Sequence, residues 1–205
     1  MQLLQIKKSH SRDKVWLTFD DGSFIPFKID DIVIHKIKVG SEIDYDLLCQ
    51  LSLKFLLTSY ALRQIAISPK IRSILLPKLK NQARYYIKKY NLIIGNYQNL
   101  IDDTLNYLEQ KGWLDNNSYA KFLLKKHHQK SKRYLEQLFS HYNLDKSILN
   151  NNDQDNIKNM LLKKISKQPN PLDFKTKNKI IQSMMQKGFT YNDIKSAIDE
   201  TLIVG

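Results

Sequence analysis

"LEQKGWLDNNSYAKFLL", Leu108 to Leu124, sets the architecture of this chain. Upstream, Leu100, Ile101, Leu105 and Leu108 recur at the spacing of one helix face. Gly112 then suits the left-handed position just past a helix end, and Lys111 lies favourably against the negative end of the helix dipole. Asp115 is fit to cap a new helix, whose face begins with Tyr119, Leu123 and Leu124. The same punctuation returns in "MMQKGFTYNDIKSAI", Met184 to Ile198, where Lys187, Gly188 and Thr190 take the corresponding places. A related stop at "LFSHYNL" precedes "KSILN".

Helical periods continue on either side. Leu79, Ala83, Tyr86, Ile87 and Tyr90 form one face, and Leu135, Leu138, Phe139 and Tyr142 another. Ile157, Met160, Leu161 and Ile165 follow, then Ile180, Ile181, Met184 and Met185, and last Ile194, Ala197, Ile198 and Leu202. Stripes of Met and aromatic residues at this spacing belong to a core rather than to a cofactor box. Pro69, Pro77, Pro169 and Pro171 break or open helices, and "NNNDQDN" from Asn150 to Asn156 reads as a joint. A helix, a stop and a short helix therefore recur, as tandem helical hairpins or three-helix units that stack into an elongated array.

The first fifty residues differ. "KVWLTF" alternates, with Val15, Leu17 and Phe19 on one face, and "DDGS" is a turn with Gly22 at a position open to positive φ. "FIPFKI" returns as a strand that Pro26 confines to a sheet edge. A small hairpin follows from these signals. "DDIVIHKIKVG" fits a strand or a helical turn equally, and Ser41 or Asp44 caps the helix that begins in "YDLLCQLSLKFLL".

A chain of 205 residues with 42% apolar content can bury a core without metal or disulfides. Cys49 is the only cysteine, and its apolar surroundings predict a buried free thiol in a reducing cytoplasm. The N-terminus lacks a secretory apolar run, and no segment supplies the roughly 20 apolar residues of a membrane span. The expectation is a cytoplasmic protein without membrane contact.

The formal charge of +13 is unevenly distributed. Residues 1–50 carry 7 basic and 8 acidic side chains, so the excess lies wholly beyond them. No acidic residue stands between Leu47 and Ile101, where nine are basic. Such a field attracts polyanions, nucleic acid or an acidic protein groove; a solvated lysine-rich surface is the plain alternative.

Motifs of catalysis are missing. No P-loop and no nucleophile elbow is present, and six glycines leave little for a nucleotide cradle. His127 and His128 are adjacent and would point about 100° apart on a helix, so they cannot chelate as an i, i+4 pair does. The paired acids Asp20-Asp21, Asp30-Asp31 and Asp102-Asp103 suit turns and helix entries. No enzyme activity, catalytic residue, cofactor or metal is expected.

Two basic segments carry more information. "KFLLKKHHQKSKRYL" holds Lys121, Lys125, Lys126, Lys130, Lys132 and Arg133, with no acid from Asn116 to Leu135. "LLKKISKQPNPLDFKTKNK" adds Lys163, Lys164, Lys167, Lys175, Lys177 and Lys179 around Asp173. Rows of this type give salt-dependent phosphate binding without base readout.

In its ordered stops the chain resembles the bacterial RecX regulators of the recombinase RecA. The matching positions are Ile101, Leu105, Leu108, Gly112, Leu114, Asp115, Tyr119, Ala120 and Phe122 in the centre, and Gly188, Phe189, Ile194 and Ala197 in the tail. The front, "VWLTFDDGSFIPFKIDDIVIHKIKVGSEID", is similar to the hairpin and short helix ahead of the repeats in some members, which implies that "DDIVIHKI" is helical.

The resemblance implies a mainly α protein: three tandem three-helix repeats in an elongated, curved array behind an N-terminal β-hairpin. The implied divisions are 1–44 for the hairpin and short helix, then 45–114, 115–152 and 153–205 for the repeats. It further implies a non-enzymatic monomer that binds RecA and its filament on single-stranded DNA, contacts DNA directly, and restrains filament growth, ATPase and strand exchange. The twelve basic residues named above are the candidate contacts. A stand-alone basic helical DNA-binding protein and a helical scaffold for another partner are the rival readings.

Overall fold

The alternating "KVWLTF" becomes strand β2 (Lys14–Phe19), with Val15, Leu17 and Phe19 buried and Trp16 and Thr18 facing outward. It pairs antiparallel with β3 (Phe24–Lys28), Leu17 opposite Ile25 and Val15 opposite Phe27. Gly22, at φ +79°, makes the turn, and the Asp21 carboxylate accepts the Ser23 N–H at 2.9 Å. This computed structural model describes residues 1–150, 152–166 and 173–203, with side chains through Thr201.

The expected hairpin is part of a three-stranded sheet, because β1 (Leu3–Lys8) pairs with the other side of β2. A register shift between Leu3 and Gln5 breaks the alternation of β1, and only Leu3 is fully buried, so its apolar pattern is weak. Strand β3 is an edge, as Pro26 requires, and the buried Ser52 hydroxyl donates to the Pro26 carbonyl at 2.6 Å.

Helix α1 (Ile29–Ile34) makes the "DDIVI" of the ambiguous "DDIVIHKI" helical, and the chain turns at His35 and Lys36. Next is α2 (Tyr45–Ile67), where Asp44 rather than Ser41 is the cap and accepts the Leu47 N–H at 3.1 Å. Pro69 lies in the break before α3 (Arg72–Tyr90), and Pro77 is accommodated inside α3. Helix α4 (Gln98–Gln110) completes the first of two compact units, Met1–Asn116. Its core joins the inner sheet face to Leu53 and Leu57 of α2, Leu75 and Leu79 of α3, and Ile101, Leu105 and Leu108 of α4. Cys49 is fully buried there, and that burial pushes its thiol pKa up.

The second unit, Asn117–Gly205, holds most of α5 (Asn116–Lys126), α6 (Lys132–His141), a 3₁₀ turn at Lys146–Ile148, α7 (Asp153–Ile165), α8 (Phe174–Met185) and α9 (Tyr191–Ile203). Ile157 and Leu161 of α7, Ile180, Ile181 and Met184 of α8, Phe189, and Ile194 and Ile198 of α9 share one core. Met185, expected on that face, is half exposed, and Leu138 and Tyr142 are only half buried beside the fully buried Leu135 and Phe139. Pro169, Pro171 and Asn151 of the expected breaks lie outside the described residues, as does the side chain of Leu202.

Among the described residues five helices end on a left-handed residue: Lys36 (φ +51°), Asn91 (+48°), Gly112 (+68°), Asn143 (+53°) and Gly188 (+96°). In four of them the next N–H reaches five residues back, Ile37 to the Ile32 carbonyl, Leu92 to Ile87, Trp113 to Leu108 and Leu144 to Phe139, at 2.9–3.0 Å. Carbonyls left over at the helix end are thereby satisfied. Asn91 does at "KYNL" what Asn143 does at "HYNL", an identity of three residues that marks a stop in the otherwise unmatched "QARYYIKKYNLIIGNYQ".

Gly188 has a second reason to be glycine. A Cβ there would stand 2.5 Å from the Ser131 hydroxyl oxygen and 3.1 Å from the Tyr134 Cβ, whereas one at Gly112 would meet nothing within 4 Å. Gly112→Ala should therefore cost about 1–2 kcal/mol from backbone conformation alone. Gly188→Ala should cost more, and paired urea titrations that give equal losses would contradict the contact. Phe139→Ala should cost about 3–5 kcal/mol and the half-buried Leu138→Ala clearly less, again by urea midpoint.

Candidate polyanion interface

Lys125 and Lys126 occupy the last turn of α5, where the dipole favours cations. Lys132 and Arg133 open α6, where it disfavours them. Acceptors offset this locally: the buried Ser131 hydroxyl accepts the Tyr134 N–H at 3.1 Å, and Asp153 accepts the Lys132 N–H at 2.7 Å. Partial burial, followed by the charge of Asp193, pushes the Asp153 carboxyl above the usual range, against the pull of the Lys132 N–H.

Between these helices Lys130 turns inward. Its ammonium donates to the Gln186 carbonyl at 3.2 Å and lies 4.8 Å from the centre of the Tyr134 ring. Lys187 donates to Gln129 Oε1 at 2.7 Å, and Lys164 to the Ser183 hydroxyl at 3.1 Å. Partial burial and then the charges of Lys164 and Lys130 hold Lys187 below its usual pKa. His127 is lowered by burial and by Lys126 and Lys130. Lys130, Lys164 and Lys187 make no ion pair among the described residues, and their hydrogen-bond partners are neutral.

Of the twelve residues singled out in the sequence, the fold thus brings Lys130 and Lys164 together. Lys177 is drawn into an ion pair with Asp199 at 3.5 Å. Lys121, Lys125, Lys126, Lys132, Arg133, Lys163, Lys175 and Lys179 are exposed, and Lys167 lies outside the described residues. Lys187 is the functional candidate that sequence reasoning missed. Its place before Gly188 reads as helix punctuation, and only the docking of the α8–α9 turn against Ser131, through the Ser131 N–H to the Lys187 carbonyl at 3.1 Å, carries it to the other lysines. A cleft of about 270 Å³ between α7 and α9 has the opposite sign, with Asp155, Asp193 and Glu200 in its lining beside Lys158.

Among the described residues no group of three or more His, Cys, Asp or Glu could hold a metal, and no helix is long and apolar enough to cross a membrane.

Helices ended by left-handed stops and preceded in the chain by a small antiparallel sheet, with cations gathered away from carboxylates, define a mainly helical protein with a charged face. Residues 152–198 match the family model described as RecX, third three-helix domain. A solved structure, described as the crystal structure of regulatory protein RecX, superposes with a TM-score of 0.55 at 15% identity over 97% of this chain and 98% of that one. No curated protein matches the sequence. Residues 152–198 are thus similar in sequence to the third RecX domain, and the fold of nearly the whole chain is RecX-like.

The partial burial of Lys187 beside two other lysines has a pH signature. Between the lowered pKa of Lys187 and its unfolded value near 10.5 the unfolded chain holds the extra proton, so folding gains stability as pH rises through that window. Thermal midpoints of wild type and Lys187→Gln should therefore shift in favour of wild type as pH climbs toward 10.5. A constant difference would show that burial and the neighbouring lysines do not lower the Lys187 pKa.

Proposed function

We propose that the protein is a RecX-type regulator that binds RecA and its filament on single-stranded DNA and restrains filament growth, and with it ATP hydrolysis and strand exchange. The observation that carries this reading is the convergence of Lys130, Lys164 and Lys187 without a carboxylate partner, on a domain of RecX sequence. Like charges held together by neutral groups oppose folding, and a polyanion relieves that opposition when it binds.

The helical region acts in this reading as three units, 45–114, 115–152 and 153–205, so that successive units meet successive protomers. Exposed Lys121, Lys125, Lys126, Lys132, Arg133, Lys163, Lys175 and Lys179 extend the contact, together with Lys167, while Lys177 contributes less because Asp199 already engages it. The protein works as a monomer in the cytoplasm, without a cofactor and without catalysis.

With RecA on single-stranded DNA, excess protein should lower ATPase and strand exchange, and co-sedimentation with filaments should weaken steeply with salt. Unchanged ATPase and exchange at excess protein would sink the reading. Salt-sensitive, sequence-selective duplex binding with no RecA association would point to a stand-alone DNA-binding protein. Reversing Lys125, Lys126, Lys130, Lys132 and Arg133 to Glu should reduce filament association and flatten the salt dependence while helicity by circular dichroism is kept. Equal association by that variant would place the contact on another face.

A further inference from the structure

The first unit carries a second cationic surface of different chemistry. A cavity of about 370 Å³ opens between the sheet and helices α2 and α3, with Lys14, Arg63, Tyr85, Lys89 and Tyr90 in its lining and no carboxylate. Trp16, on the outer face of β2, lies 6.0 Å from Tyr90 and 5.6 Å from Phe24, centre to centre. Phe24 and Tyr85 are each about half exposed, at 53% and 51%, so the core does not account for them.

The cations beside these rings rest on them. Lys14 Nζ is 4.5 Å from the Trp16 ring centre, and Lys89 Nζ is 5.3 Å from Tyr85 and 5.4 Å from Tyr90. None of the three basic residues of the lining forms an ion pair among the described residues. The segment that supplies Arg63, Tyr85, Lys89 and Tyr90 has no acidic residue from Leu47 to Ile101.

We propose that this groove binds single-stranded nucleic acid directly, with unpaired bases stacking on Tyr85, Trp16 and Phe24 and phosphates meeting Lys14, Lys89 and Arg63. Aromatic faces interleaved with cations match a strand that presents ring faces and phosphates in alternation. A duplex keeps its base faces stacked inside and offers only phosphate. An acidic peptide would bring carboxylates to the negative faces of the rings, which repel them. The groove needs no RecA, so this proposal and the filament reading stand or fall separately.

The test uses the full chain with Trp113→Phe, which leaves Trp16 as the single tryptophan reporter. Titration with oligo(dT) in the absence of RecA should quench Trp16 saturably, with an affinity that falls as salt rises. Tyr85→Ala truncates a half-exposed ring, and Lys89→Glu is a second variant that touches no core. Each should weaken binding about tenfold with circular dichroism unchanged. An abasic phosphate strand and a blunt duplex should bind more weakly than oligo(dT). Absent quenching, variants that bind as wild type does, abasic or duplex binding as tight as oligo(dT), or quenching by anionic vesicles alone would each overturn the proposal.

Discussion

Ser131 caps its own helix and joins it to the α8–α9 turn, three close relations in all. Its N–H goes to the Lys187 carbonyl, its hydroxyl accepts the Tyr134 N–H, and Gly188 packs so near that no side chain fits between. The contact fixes where α6 begins and, in the same stroke, where the turn between α8 and α9 sits. Lys130 and Lys187 flank it in sequence, so their ammonium groups are brought to one place by a backbone contact rather than by attraction. The charge cluster is in this sense imposed on the fold, because polar satisfaction of a buried helix start outweighs repulsion among partly solvated cations.

The two basic surfaces differ in how they hold their charge. In the second unit, neutral acceptors such as Gln129, Ser183 and the Gln186 carbonyl steady the lysines. In the first, aromatic rings do so. By contrast Arg72, in the same acid-free stretch, is engaged by Asp102 and Glu109 at 3.0 Å and by Asn106, and ties α3 to α4. Basic residues of one run of sequence therefore serve packing or remain open to a ligand, according to whether a later helix supplies a carboxylate.

Features written in neighbouring residues were legible. The β2–β3 turn, the edge position of Pro26, the Asp44 and Thr190 caps and the left-handed Gly112 and Gly188 each follow from local conformational chemistry. Strand β1 was not legible, because its bulge erases the alternation on which strand recognition rests. The stop at Asn91 was hidden for a different reason: asparagine reaches the left-handed region less readily than glycine and does not announce itself. The candidate sites divide in the same way. The exposed lysines of α5 could be named from composition, whereas the partnership of Lys130 and Lys164 with Lys187, the loss of Lys177 to Asp199, and the gathering of Trp16 with Tyr85 and Tyr90 depend on elements far apart in the chain.

The edge strand β3 has a consequence for the company this protein keeps. On the side away from β2, its middle residue offers neither half of a ladder: Pro26 has no N–H, and its carbonyl is already taken by Ser52 from beneath. A neighbouring chain that sought to extend the sheet would find the rung at the centre missing. Such a closed border leaves β3 unable to carry its sheet on into that of a second copy.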